Sequence, residues 1–258
     1  MDFSEAVLLG VLQGMAEWLP VSSEGLVSLV SKLYYGRSLE SALAAAIWLH
    51  VGTFFSALIY LRSDIAKIMT GFRKQGEERR LLIFLVAATA SSALTALPIV
   101  FFLRELSIAD WLFTVAVGLL LLLTGLLPRK ALRTNWVESA SHGWVIGLVQ
   151  GLSIIPGVSR SGVTITTLLL LGAPTYHAFR LSYLMSIPVV AGAQILLPLF
   201  FGVQVFTSEM LVGAVAAFVT GFLMMKMLLT ASAKLDHRVF MIPLGAAIFF
   251  IGILMVFQ

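Results

Sequence analysis

Two short polar stretches interrupt a chain that is otherwise strongly apolar. The first is Leu19-Pro20-Val21-Ser22-Ser23-Glu24-Gly25, preceded by Gln13 and Glu17. The second is Ile155-Pro156-Gly157-Val158-Ser159-Arg160-Ser161-Gly162, followed by Thr164. Hydroxyls donate hydrogen bonds, and a guanidinium presents a fork of donors that suits phosphate. Each stretch also precedes an apolar helix, expected to start near Leu26 or Val163, whose free N–H groups and dipole favour an anion. Glycine at the turns lets backbone approach a ligand closely. Arg160, with Ser22, Gly25, Ser159, Ser161 and Thr164, therefore outlines an anion site, and phosphate suits it best. Glu17 repels an anion and needs another role, either as a general base or as a ligand for a divalent cation that bridges to the phosphate. Together the groups point to phosphoryl transfer. Ser23 or Ser22 attacks, Glu17 takes its proton, and Arg160 with the N–H groups stabilises the developing charge.

Blander readings stand beside this one. Serine and glycine in membrane helices commonly serve close packing. Glu17 and Arg160 are costly at membrane depth, about 2.5–3.5 kcal/mol each on insertion scales, so they could also form a purely structural salt bridge. His50, in Trp48-Leu49-His50-Val51-Gly52, is either functional or a polar link between helices. Gln13, Glu24 and His50 are kept as supporting residues. His142, His177 and His237 fall near segment ends and read as interfacial, and Trp18, Trp48, Trp111 and Trp144 read as packing or interface residues.

The elements that must position these groups are written in the hydropathy. The 258 residues are 59% apolar and only 12% charged, about half the charge of a soluble domain. The mean hydropathy of +1.00 indicates an integral membrane protein. With no cysteine, disulfide and thiol chemistry are excluded. The start carries Asp2 and Glu5 and no early Lys or Arg, so no signal peptide is expected. Six segments are long enough to span: 39–61, 81–103, 111–127, 179–201, 210–229 and 239–257. Four more, 3–19, 26–35, 144–155 and 163–171, are too short. Each short pair is hinged by one polar stretch and is expected to form a re-entrant helical hairpin with its tip near the midplane.

The two halves match. Shifting the sequence by 137, the separation of Gly10 and Gly147, also aligns Gln13 with Gln150 and Gly14 with Gly151. It aligns Val21 with Val158, Ser22 with Ser159 and Gly25 with Gly162. The expected fold is all-α: six transmembrane helices plus two re-entrant hairpins, as an inverted-topology repeat of 1–128 and 143–258 within one membrane domain of 1–258. Loop charge orients it. Arg62, Lys67, Arg73, Lys74, Arg79, Arg80, Arg129, Lys130, Arg133, Lys226, Lys234 and Arg238 fall on one side, where Arg180 also begins a span. Only Lys32, Arg37 and Arg104 fall on the other. The positive-inside rule puts the basic side in the cytoplasm and both termini outside, in the plasma membrane. The net charge of +4 thus follows from topology, and no nucleic-acid partner is expected. The basic 62–80 loop reads as a topology determinant facing anionic lipid.

Residues 13–25, Gln-Gly-Met-Ala-Glu-Trp-Leu-Pro-Val-Ser-Ser-Glu-Gly, resemble the first motif of the undecaprenyl-diphosphate phosphatases, the bacitracin-resistance family. Pro156-Gly157-Val158-Ser159-Arg160-Ser161-Gly162-Val163-Thr164 resembles its second motif, PGxSRSxxT. Two weaker patches agree, His50-Val51-Gly52-Thr53 with Tyr60-Leu61-Arg62, and Arg180-Leu181-Ser182-Tyr183 with Ile187-Pro188. The resemblance implies a membrane phosphatase that removes the terminal phosphate of a polyprenyl diphosphate and recycles the carrier lipid for envelope glycan synthesis. It implies a divalent cation, Mg2+ or Ca2+, with Glu17 as essential glutamate and Ser23 as nucleophile. Ser159, Arg160 and Thr164 match its phosphate-binding positions. The family pattern continues Ser-Ser-x-Gly-His, whereas here Leu26 follows Gly25, so any role of that histidine must pass to Glu17 or Glu24. Expected partners are the polyprenyl lipid and membrane lipids, with a homodimer allowed. A flippase or transporter for the lipid phosphate is the alternative, because inverted repeats with broken helices are a transporter hallmark. A catalytically inactive lipid-binding homologue is another.

Overall fold

The computed structural model describes residues 1–102, 136–155, 158–201, 207–234 and 237–254, with isolated positions between 112 and 126. Every regular element among the described residues is helical: α1 (Phe3–Ala16), α2 (Ser23–Tyr35), α3 (Leu39–Tyr60), α4 (Arg62–Thr70), α5 (Glu77–Phe102), α6 (Ala140–Gly151), a 3-10 turn (Leu152–Ile154), α7 (Arg160–Leu170), α8 (Thr175–Phe201), α9 (Ser208–Lys234) and α10 (His237–Leu254).

Four helical stretches are long and apolar enough to cross a membrane: Ser41–Tyr60, Glu77–Val100, Thr175–Leu196 and Ser208–Ala233. The expected span 111–127 lies outside the described residues, as do Pro156 and Gly157 of the second hinge. The expected span 239–257 falls on α10, an 18-residue helix with Pro243 inside it, and its last three residues lie outside the described ones. Helices α1, α2, α6 and α7 have 14, 13, 12 and 11 residues. At helical rise they reach about 17–21 Å, well short of the hydrocarbon thickness of about 30 Å.

Local chemistry sets where these short helices begin. Ser22 caps α2 by accepting the Gly25 N–H, and Ser159 caps α7 by accepting the Gly162 N–H, each at 3.1 Å. Both helices therefore start three residues earlier than the apolar pattern indicates. Ser23, Glu24 and Gly25, and likewise Arg160, Ser161 and Gly162, lie in the first helical turn, not in the hinge. At its far end α2 stops at Gly36, whose φ of 63° is the left-handed conformation that glycine adopts cheaply. The chain then turns back, and Arg37 grips the buried Glu5 of α1 with two bonds, of 3.0 and 2.6 Å. That fork ties the outer end of α2 to the outer end of α1 and closes the pair into a hairpin.

Small residues hold each hairpin against a long helix. Gly10 and Gly14 of α1 face the backbone of Gly213 and Ala217 in α9, and Gly52 of α3 faces Ala214. Gly143, Gly147 and Gly151 of α6 face Phe84, Ala88 and Ser92 in α5. In both cases the numbers rise together, so α1 runs in the same direction as α9, and α6 in the same direction as α5. Ser56 Oγ donates to Phe218 O at 2.8 Å and Trp48 Nε1 to Met210 O at 2.8 Å, which sets α3 alongside α9 in that direction too. Removing the side chain at such contacts lets backbones approach closely, the usual source of helix association in lipid.

The 62–80 stretch, read from sequence as a basic loop, opens instead with α4. Its Asp64 is buried and pairs with Arg180 of α8. An acid in a first turn also suits the helix dipole. Between the hairpins and α8 lies the main core, which includes Trp18, Phe84, Ile146, Ile165, Phe179 and Tyr183. Large apolar side chains such as Leu94, Ile195, Leu211 and Phe250 stay exposed, as expected of faces turned to lipid.

A Cβ at Gly147 would lie under 3.0 Å from Ala88 backbone and from Ser91 Oγ, whereas one at Gly192 meets nothing within 4 Å. Gly147→Val should therefore destabilise the fold by about 1–3 kcal/mol. Gly192→Ala should be neutral or slightly stabilising. Thermal unfolding of the detergent-solubilised protein distinguishes the two.

Candidate active site

The tips of the two hairpins touch. Glu17 caps the inner end of α1, and Arg160 opens α7. Arg160 Nη2 donates to Glu17 Oε1 at 2.9 Å, and Nη1 donates to the Ser182 carbonyl of α8 at 3.2 Å. Its guanidinium carbon sits 5.7 Å from the Trp18 ring centroid, a cation–π distance. The Ser161 hydroxyl donates to the Leu19 carbonyl, and Tyr183 OH donates to the Trp18 carbonyl at 3.2 Å. The backbone of the first tip, freed from helix pairing after α1, is thus bonded by side chains of α7 and α8.

Glu17 is the hub. Its side chain is buried, and its other oxygen, Oε2, accepts from Gln13 Nε2 at 2.9 Å and Ser23 Oγ at 2.8 Å, and lies 3.1 Å from His50 Nε2. Gln13 reaches it because i and i+4 share a helix face. Ser23 reaches it because α2 starts just beyond the turn. His50 comes from α3, where its other ring nitrogen, Nδ1, bonds the Ala46 carbonyl at 2.8 Å. Glu24 Oε1 stands 4.0 Å from His50 Nε2, with its side chain 37% exposed.

The sequence-predicted residues thus separate into three groups. Glu17, Ser23, Arg160, Gln13 and His50 converge on one carboxylate, with Glu24 at its edge. Ser22 and Ser159 spend their acceptor oxygens on helix caps, and the Gly25 N–H is spent on the Ser22 cap. Ser159 also lies 3.2 Å from Ser161, oxygen to oxygen. Ser161 and Thr164 act as ties. Thr164, fully buried, bonds Ser182 Oγ at 2.6 Å and donates to its own helix at Arg160 O, 2.8 Å away. Residues that the sequence reading gave no part in the site also contribute. Trp18 and Ser182 hold Arg160, and Tyr183 packs edge-on against Trp18 at 4.9 Å. The Arg180-Leu181-Ser182-Tyr183 patch was the only sequence signal for the last two.

A cation on Glu17 can be weighed against this donor set. Both carboxylate oxygens already accept hydrogen bonds, one of them from a guanidinium. Among the described residues no group of three or more His, Cys, Asp or Glu forms a metal site. Like unit charges about 4 Å apart repel by about 4 kcal/mol at an effective dielectric of about 20, and a divalent ion doubles that. The residues around Glu17 therefore do not fit the Mg2+ or Ca2+ that the sequence led us to expect on it.

Fold and centre together define an all-helical membrane protein with a buried acid, hydroxyl and guanidinium joined at two helix tips. The family model of the bacitracin resistance protein BacA matches residues 6–248. Curated relatives named undecaprenyl-diphosphatase include one from Methanococcoides burtonii, 37% identical over 95% of this chain and 96% of its own length. Another, from Methanothrix thermoacetophila, is 35% identical over 95% of each chain. A third, from Haloarcula marismortui, is 39% identical over 74% of this chain and 75% of its own. The chain belongs to the BacA family.

Losing the guanidinium leaves a buried carboxylate short of a partner. Arg160→Ala should cost about 3–5 kcal/mol of stability, and Arg160→Lys, which keeps the charge, should cost less. Thermal unfolding in detergent checks both.

Proposed function

We propose that this protein is a membrane phosphatase that hydrolyses a polyprenyl diphosphate of the undecaprenyl type to the monophosphate, recycling the lipid carrier for envelope glycan synthesis. The observation that carries the reading is the 2.8 Å bond from Ser23 Oγ to a carboxylate that Arg160 holds at 2.9 Å. A nucleophile, its base and an electrophilic cation thereby meet at one buried point. The names of the curated relatives support the same activity.

The chemistry follows from these positions. Ser23 Oγ attacks the terminal phosphorus as its proton passes to Glu17 Oε2. The bond from that phosphorus to the bridging oxygen breaks, and the polyprenyl monophosphate leaves. Glu17 passes that proton to the departing bridging oxygen, and water then attacks the phosphoserine while giving a proton to Glu17, which hands it to Ser23 Oγ as the serine–phosphorus bond breaks and inorganic phosphate leaves. Arg160 and the first N–H groups of α2 and α7 stabilise charge on the equatorial oxygens. Gln13 and Tyr183 act indirectly, the first by fixing Glu17 and the second by fixing the Trp18 carbonyl. No step requires a metal on Glu17.

The arrangement proposed around this centre has six spans and two re-entrant hairpins, in inverted repeats 1–128 and 143–258. Its support is the packing: α1 lies along α9 through Gly10 and Gly14, and α6 lies along α5 through the matching Gly147 and Gly151. Each hairpin thus leans on the second long helix of the opposite copy. Basic loops face the cytoplasm and both termini face outward, which opens the site to the outer leaflet.

Purified protein should release phosphate from undecaprenyl diphosphate. Glu17→Gln should slow release by about 10²–10⁴-fold, the usual worth of a general base, and Ser23→Ala should be slower still. Unchanged release in both variants defeats the mechanism, and lipid transbilayer movement without release favours the flippase reading. Orientation has its own check, since the chain has no cysteine. Ser4→Cys should react with an impermeant thiol reagent from outside intact cells, and Lys74→Cys only after the membrane is opened.

A further inference from the structure

The segment between the first two long spans carries a surface that the catalytic centre does not use. Helix α4 (Arg62–Thr70) starts directly after Leu61, the C-cap of α3, and α5 follows from Glu77. Both neighbours belong to stretches able to cross a membrane, Ser41–Tyr60 and Glu77–Val100. A span therefore holds α4 at the membrane face from each end. Three contacts fix its rotation about its own axis. Leu61 and Ile68 pack with the main core. Asp64 pairs with Arg180. A Cβ at Gly71 would collide with the Glu78 carbonyl, so the end of α4 lies tight against the start of α5.

The remaining surface of α4 divides in two. Ile65, Met69 and Phe72 fall at i, i+4 and i+7, on one flank of the helix. Gly71 keeps helical angles (φ −61°, ψ −17°), so this row runs on to Phe72. Met69 is 61% exposed and Phe72 62%. On the other flank Ser63, Lys67 and Thr70 are exposed, and Arg62, Arg73, Lys74 and Arg80 are exposed around them. Of the nearby acids Asp64 is taken up by Arg180, which leaves Glu77 and Glu78 against these cations. One face packed on protein, one apolar and free, one basic: this is the pattern of a helix lying in a membrane interface.

We propose that α4 is a docking surface for anionic phospholipid. Met69 and Phe72 enter the acyl boundary of the leaflet that α4 faces, and Lys67, Arg73 and Lys74 gather phosphate headgroups around them. Two observations choose this partner. Spans enter α4 from both ends, so its apolar flank meets lipid before it meets any soluble protein. A zwitterionic surface would suit Met69 and Phe72 but leave the cations without counter-charge, whereas anionic lipid suits both flanks. Each Lys or Arg near such a surface is worth about fivefold in affinity. The basic residues thus do more than orient the chain: they select the lipid beside it. The surface is separate from the catalytic centre, and its occupancy does not depend on the phosphatase reading.

Because the chain has no cysteine, single introduced cysteines can report on this surface. Met69→Cys and Phe72→Cys, each labelled with bimane, are reconstituted as full chains in bilayers of phosphatidylcholine and phosphatidylglycerol in a three-to-one ratio. One lipid or the other then carries a spin-label quencher on its acyl chain, at the same mole share. Leu94→Cys is the reference, since Leu94 is exposed in a stretch of α5 without Lys or Arg. Both α4 probes should be quenched from the acyl chains, with phosphatidylglycerol preferred by about fivefold or more. The Leu94 probe should show no preference. Adding Lys67→Gln and Lys74→Gln to Phe72→Cys should bring the preference down towards the reference and leave quenching by phosphatidylcholine intact. Concentrated salt should do the same, and thermal unfolding verifies that each variant is folded. Equal quenching by the two lipids at both α4 positions, or a preference that survives loss of the lysines, overturns the anionic selection. Quenching of the α4 probes by aqueous iodide alone overturns docking in lipid and gives the face to a soluble partner.

Discussion

The structure turns on one ion pair made where ion pairs are expensive. Glu17 and Arg160 lie at the inner ends of two half-length helices, in a chain whose remaining surface is largely apolar. Removing either charge would leave the other buried and unpaired, at a cost of about 3–5 kcal/mol. Once paired, they fix the distance between hairpin tips and require the helices behind those tips to pack at a set depth. The glycine contacts of α1 with α9 and of α6 with α5 supply that depth. The Arg37–Glu5 fork supplies the closed outer end of the first hairpin. Each of these features has an independent local cause, and all of them bear on how the two tips meet.

Interrupted helices solve a second problem as they create the site. A helix end buried away from water leaves backbone groups without partners. Here the loose carbonyls of Trp18 and Leu19 accept from Tyr183 and Ser161, and the loose N–H groups of Gly25 and Gly162 are capped by Ser22 and Ser159. Much of the hydroxyl content that looks like phosphate-binding machinery therefore does structural duty. Only Ser23 directs its hydroxyl at the acid. This division explains why two adjacent serines, chemically equivalent on paper, have separate roles: one lies before the first helical turn and the other within it.

Some of this was legible in the chain. Glutamate, arginine and hydroxyls in an apolar surround are conspicuous because their burial is costly, so Glu17, Ser23 and Arg160 stood out together with the short helices that carry them. Their grouping depended on reading the two hinges as related, which the matched glycines and serines allowed. His50 was visible as an intramembrane histidine but ambiguous, because nothing along α3 says which helix its ring faces. Asp64 was hidden in a run of basic residues, and its partner Arg180 lies 116 positions away. Likewise the role of Ser182 comes from its backbone carbonyl, which carries no side-chain signature.

By itself the sequence determined an all-helical membrane chain, two polar breaks of related composition, and the residue types able to handle a phosphate, since hydropathy and periodicity are properties of neighbours along the chain. Tertiary structure alone decided which serine meets the acid, which ring nitrogens of His50 find partners, and that the carboxylate is surrounded by donors instead of open to a metal. Those outcomes depend on distances of about 3 Å between residues far apart in sequence, and such distances exist only after helices from both halves have packed.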